Sequence, residues 1–311
     1  MTPQSSAIAR QSAPLSDRPA RSGLRWGLVG ITAFSFTVPF TRVAAHDGLS
    51  PLFIGAGRAV VAAALAAVAL AVTRQVRPNR RQWARLAIVA AGVVAGFPLL
   101  TSYALKTAPA GHGAVVIGLL PAATAAMAVM RGKERVPRSF WMFAALGAGA
   151  VVVFAALQDG GLGGLHGSDL LLFGAVLAAA VGYAEGGLLA RELGAWQTVS
   201  WALVLSAPLM IVLTVVSVLD GAPVGTPVQW LAFAYLCVVS MYVGFFAWYH
   251  GLAIGPMARV SQVQLVQPVL SILWAALILR EQLTWPTVMG GLVVIACARL
   301  AVRARMGPKA R

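Results

Sequence analysis

The chain has 311 residues, of which 59% are apolar and only 11% charged. A soluble globular domain carries about 25% charged residues, so this composition excludes a set of soluble domains and makes lipid the solvent. The formal net charge of +15 is split into short clusters between apolar stretches, which orients a membrane protein and argues against nucleic-acid binding.

Residues 1–22 are rich in Ser, Pro, Ala and Arg, contain no apolar run, and read as a disordered tail. Ten apolar spans then follow, at about 26–44, 51–73, 86–106, 113–130, 139–157, 169–190, 198–219, 228–251, 260–279 and 285–303. Arg74, Arg77, Arg80, Arg81 and Arg85 close the second span; Arg131, Lys133, Glu134, Arg135 and Arg138 close the fourth. Gln158 to Asp169 is a Gly-rich hinge between halves, and Asp220 to Pro227 is a Gly/Pro turn. The domain reading is a tail (1–22), a first five-helix repeat (23–157), a second (169–304) and a short tail (305–311). Cys237 and Cys297 lie in apolar stretches without metal-ligand spacing, so no metal or cofactor is expected.

Alternating sides of the membrane receive 20 and 3 basic residues, with Arg58 inside a span. The larger number falls on the side holding the N-terminus, which places both termini in the cytoplasm of a cell-membrane protein with an even number of spans.

The chain also repeats itself. Leu105, Pro109, Val116, Pro121 and Lys133-Glu134 recur 147 positions later as Leu252, Pro256, Val263, Pro268 and Arg280-Glu281. Five spans per half is an odd number, so the second half must enter the membrane upside down. The fold expected is all-α, with ten transmembrane helices as two inverted five-helix repeats. Such a fold can open to either side by exchanging the conformations of its halves.

Interruptions at matched places in the halves point to a binding site. Span one carries Pro39, and 147 residues on stands Gly186 within Gly182-Tyr183-Ala184-Glu185-Gly186-Gly187. Pro39, Gly186, Pro121 and Pro268 are candidate hinges; tight helix packing is the alternative reading. In span nine, Ser261, Gln264, Gln267 and Ser271 share one arc of a helix, facing a cavity or bonding to another helix. The matching face of span four, Ala114, Ile117, Leu120 and Thr124, is mostly apolar.

Glu185 is read as the one carboxylate well inside a span: either a substrate- or proton-binding group, or a partner of Arg191. His250 falls at a similar depth and is a possible partner for it. His46, His112 and His166 are placed in outer loops, and Arg58 is expected to snorkel or find a structural partner. Thr37, Tyr103, Tyr183 and Trp248, with Phe34 and Phe36, are candidate walls of a small-molecule site or ordinary packing residues.

Taken together, the two repeats, Ser50-Pro51 followed by Arg58, and the stretches Pro121 to Glu134 and Pro268 to Glu281 resemble the EamA-type branch of the drug/metabolite transporter superfamily over residues 25–304. The turns Arg131-Gly132-Lys133-Glu134 and Leu279-Arg280-Glu281 both depart from the family's usual Leu-Gly-Glu. The resemblance implies export, less often import, of a small polar metabolite such as an amino acid. It also implies spans one to four and six to nine around a central cavity, with five and ten outside. The expected function is therefore a secondary transporter. Its partners would be a small-molecule substrate, the lipid bilayer and possibly a coupling proton. A membrane-embedded enzyme, or a structural or sensory membrane protein, is the alternative. The chain has no phosphate-cradling G-x-x-x-x-G-K-[ST] motif to suggest ATP-driven pumping, and no catalytic set is identified.

Overall fold

The computed structural model describes residues 18–132, 137–157, 166–255 and 260–305. Among these residues every regular element is helical. Eight helices are long and apolar enough to cross a membrane, and two shorter apolar helices, Arg138–Phe154 and Val263–Leu279, complete the ten. The protein is an all-α multi-pass membrane protein, built as two inverted five-helix repeats. Lys133-Glu134, Pro256, Arg259 and the Gly-rich stretch 158–165 lie outside the described residues, as do 1–17 and 306–311.

Five spans are interrupted. Span one is Arg18–Ser35 and Thr37–Ala45; span four is Ala110–Ile117 and Leu120–Gly132. Span three runs Arg80–Val89, a π-helical turn Ala90–Gly96, then Phe97–Thr107. Span eight has the same make-up: Pro227–Tyr235, a π-helical turn Leu236–Val243, then Gly244–Ile254. Span nine is a 3-10 segment Ser261–Val266 followed by Gln267–Leu279. The others are Pro51–Val72 (two), Arg138–Leu157 (five), Gly167–Leu193 (six), Ala195–Asp220 (seven) and Trp285–Arg305 (ten).

The repeat reaches further into the backbone than the matched residues suggest. The capping box Asn79/Gln82 that starts span three has its counterpart in Thr226/Gln229, which starts span eight at the 147-residue offset. The π-helical turns coincide at the same offset. So do the restarts at Leu120 and Gln267, each followed by the proline that lacks the N–H needed to continue the previous helix.

The halves are interleaved. Span one packs on eight and span six on three; two packs on seven, four on nine, and five on ten. Small residues permit these approaches. A Cβ on Gly23 would stand 2.8 Å from the Gly255 Cα, and one on Gly92 would stand 2.3 Å from the Ala178 carbonyl oxygen. Between spans five and ten, a Cβ on Gly290 would meet Phe154 at 2.4 Å and one on Gly147 would meet Cys297 at 3.2 Å, whereas Gly149 faces open space. Apolar side chains such as Val68, Leu177 and Leu209 point outward, as lipid requires.

Candidate functional site

Where the two halves meet, side chains from spans one, two, three, six, eight and nine bound a small cavity. Both π-helical turns reach it, through Val93 in span three and Ser240 and Met241 in span eight. In a π turn the N–H bonds five residues back, as Phe97 does to the Gly92 carbonyl, and such turns are frequent at functional sites. Phe34, Tyr183 and Phe245 form an aromatic wall, with Phe34 and Phe245 centroids 4.8 Å apart. The polar lining is Thr37, Arg58, Tyr183, Ser240 and Gln267. The hydroxyls of Thr37 and Ser240 share a 2.7 Å hydrogen bond that ties the break in span one to the π turn of span eight.

The span-one break has a local cause. Pro39 has no N–H to donate to the Ser35 carbonyl, four residues back. That carbonyl accepts instead from Ser271 Oγ of span nine at 2.7 Å, and Trp274 Nε1 donates to Ser35 Oγ at 2.9 Å. In span nine Gln264 and Gln267, one 3-10 turn apart, lie on one face. Gln267 reaches the central cavity, while Gln264 is 1% exposed and neither its amide nitrogen nor its oxygen has a hydrogen-bond partner.

At the end of the bundle that carries the Arg clusters, Glu185 is buried and held by two guanidinium groups. Arg85 of span three donates to one carboxylate oxygen and Arg131 Nε of span four donates to the other, the latter at 2.8 Å. Arg85 also donates to Glu192. These residues line an open vestibule, larger than the central cavity and separate from it.

At the opposite end, hydrogen bonds join helix termini beside a second pocket lined by Gly111, His112 and Glu281. Both Glu281 oxygens accept backbone N–H groups at the start of span four, from Ala110 and Gly111, each at 2.8 Å. Arg280, in the left-handed conformation at φ 55°, is the turn that precedes this carboxylate. Arg42 donates to the last carbonyls of span three, Leu105 at 3.0 Å and Lys106 at 2.6 Å. Nearby, His112 Nε2 lies 2.6 Å from Asp169 Oδ1, both groups buried.

The sequence model of the EamA-like transporter family matches residues 21–156 and, again, 166–303. The chain belongs to the EamA-like transporter family. It is similar to the uncharacterized transporter YdeK of Bacillus subtilis (strain 168), at 44% identity over 278 residues covering 89% of this chain and 96% of the relative. A solved crystal structure shares the fold with a TM-score of 0.64 at 19% identity, covering 92% of this chain and 98% of the other. The protein is a membrane transporter.

Several side chains of this EamA-like protein differ in placement from the sequence expectation. Thr37, Tyr183 and Gln267 meet at the central cavity. Gln264 and Ser271 are buried on the same helix, Ser271 engaged by the span-one break, and the Ser261 side chain lies outside the described residues. Trp248 is fully buried against Tyr183, with centroids 6.0 Å apart, and does not line the cavity. Tyr103 is 46% exposed, because its helix turns that face away from the bundle. His250 is exposed and packs edge-on to Trp26 at 5.3 Å; Glu185 takes Arg85 and Arg131 instead.

Span six is not interrupted at Gly186. The helix is continuous from Gly167 to Leu193, and the glycine admits the Tyr249 hydroxyl, which a Cβ would meet at 2.2 Å. His112 sits in a helix and not a loop, and Asp169 is a second buried carboxylate within a span. Among the described residues, spans four and seven supply no side chain to the central lining. Glu185 was visible in the sequence as an intramembrane carboxylate, whereas Asp169 was read as the end of the Gly-rich hinge. The partners of Glu185 were not visible, because Arg85 and Arg131 belong to clusters that charge counting reads only as orientation.

Proposed function

We propose that this chain is a secondary transporter that carries a small organic metabolite, of the amino-acid kind, across the cytoplasmic membrane by alternating access. Both termini lie in the cytoplasm, and the direction is export. The observation that carries the reading is the central cavity: it is lined by both inverted halves, at the π turns of spans three and eight and beside the break in span one. Thr37, Tyr183 and Gln267 contact the substrate, and Gln264 turns its unpartnered amide toward it as the cavity widens. Pro39, Pro121 and Pro268 are the flexing points.

Each end of the cavity then needs a closure that can be broken and remade. At the basic end, the cytoplasmic one, Glu185 holds spans three and four against span six through Arg85 and Arg131. Both of its oxygens are engaged, so an amine or a coupling proton at this carboxylate competes with the arginines. Glu185 therefore links binding or coupling to opening. At the outer end the Glu281 cap and the Arg42 contacts play the corresponding part.

Flux in proteoliposomes tests the proposal. Protein-dependent counterflow of an amino acid or a similar metabolite, lost on Gln267→Leu while the protein stays folded, is the expected result. Absence of flux for every solute across a broad metabolite panel would defeat it and favour a non-transporting membrane protein.

A further inference from the structure

Arg58 is a charged side chain of the central cavity that no acidic group among the described residues balances. It sits in span two with 1% of its surface exposed, so it does not snorkel. Its Nε has no hydrogen-bond partner, and its Nη2 makes only a long 3.4 Å contact to Thr101 Oγ1. No carboxylate among the described residues pairs with it. A buried guanidinium is ordinarily matched by a carboxylate, a phosphate or several carbonyls, because its desolvation is otherwise uncompensated. This one faces the cavity between the two halves.

The rest of the lining has a matching character. Among the described residues it contains no acidic side chain to offset a positive charge on a ligand. It offers hydroxyl and amide groups from Thr37, Ser240 and Gln267, and an aromatic wall from Phe34, Tyr183 and Phe245. A planar guanidinium with free N–H groups recognises a carboxylate in two-pronged fashion. The aromatic wall suits an apolar body attached to it.

We infer that the transported solute is an organic anion, a carboxylate with a small apolar or aromatic body, and that Arg58 is the residue that binds its charge. The inference rests on the transport reading for its context and narrows the substrate class. It disfavours amines and quaternary cations that carry no carboxylate, since among the described lining residues the one charge, on Arg58, has their own sign. In the ligand-free state the unpaired guanidinium is a destabilising element, and binding a carboxylate relieves it.

Three probes share one body and differ in charge: phenylacetate, phenylacetamide and phenethylamine. Thermal unfolding of the purified full-length protein is expected to shift upward with phenylacetate and not with the other two. Arg58→Gln should weaken phenylacetate binding by roughly a hundredfold. Arg58→Met supplies a readout that a structural role would not share: the ligand-free protein should unfold at the same or a higher temperature than wild type and lose the phenylacetate shift. A fall in the ligand-free unfolding temperature, or failure of Arg58→Met to fold, would make Arg58 a structural residue and overturn the inference. So would equal stabilisation by the amide, no stabilisation by phenylacetate, or a shift that survives Arg58→Gln. Failure of the transport reading shows separately: phenylacetate would bind without any solute flux in proteoliposomes. Flux of neutral or cationic solutes without phenylacetate binding would instead retain transport and remove the anion site.

Discussion

Arg131 Nε donates to Glu185 Oε2 across 2.8 Å, joining the end of span four to a buried carboxylate two-thirds of the way along span six. Arg85 holds the other oxygen from span three, so one side chain ties three helices together beside the vestibule. Glu185→Gln keeps the volume and removes the charge that both arginines share. It should loosen this end and cost about 1–3 kcal/mol, less than a fully buried pair because Arg131 is half exposed. Leu188→Cys, in a background lacking Cys237 and Cys297, should label several times faster with the Gln variant. Accumulation against a gradient should fall while some exchange remains. Unchanged labelling and unchanged accumulation would remove Glu185 from any gating or coupling role.

The hydrogen bond from Ser271 to the Ser35 carbonyl compensates for the N–H that Pro39 lacks. Ser271→Ala should leave a buried carbonyl unpaired and destabilise the protein by about 1–3 kcal/mol, measured as a lower unfolding temperature. Pro39→Ala should have the opposite sign on stability and slow the flux, because the break in span one can close into continuous helix. A flux equal to wild type in Pro39→Ala would show that span one does not flex there.

Glycines at helix crossings should respond according to what a methyl group meets. Gly92→Ala places Cβ 2.3 Å from the backbone oxygen of Ala178, and Gly186→Ala places it 2.2 Å from the Tyr249 hydroxyl. Each should cost about 1–3 kcal/mol. Gly149→Ala meets nothing within 4 Å and should be neutral or slightly stabilising, as expected for alanine in a helix. Thermal unfolding of the three variants provides the comparison. Equal effects at Gly149 and Gly92 would contradict the packing described.

The orientation proposed from the charge asymmetry has a direct check. Arg80→Cys and Val224→Cys fall on exposed segments at opposite ends of the bundle. An impermeant thiol reagent added to intact cells should label Val224→Cys and leave Arg80→Cys unmodified until the membrane is opened. Labelling of Arg80→Cys from outside would reverse the topology.

Glu281 caps span four from a loop that joins spans nine and ten, with each oxygen on one backbone N–H. Glu281→Ala should cost about 1–2 kcal/mol and Glu281→Gln less, since an amide oxygen still accepts one of the two bonds. A Glu281→Ala protein as stable as wild type would leave the cap without energetic weight.

Much of this molecule was legible in the sequence for reasons that are local or periodic. Apolar run length marks the membrane crossings, because a backbone in lipid must satisfy its own hydrogen bonds. The 147-residue offset of Pro121 and Pro268 carries the two-repeat architecture, since each stands at the restart of its helix, where a proline's missing N–H costs least. The stripe of Gln264, Gln267 and Ser271 could be seen because helical spacing keeps those residues on one face. The pairing of charges could not be seen in this way. Glu185 to Arg85 spans 100 positions, His112 to Asp169 spans 57, and Arg58 finds no acid among the described residues. Nor could spacing tell whether Gly186 bends a helix or seats a tyrosine ring, which depends on what span eight brings against it. The sequence by itself determined the solvent, the number of crossings and the repeat, because these follow from each segment's own composition and hydrogen bonding. Only the tertiary structure decided which buried polar groups are satisfied and which face the cavity, because that depends on distances between segments remote in the chain.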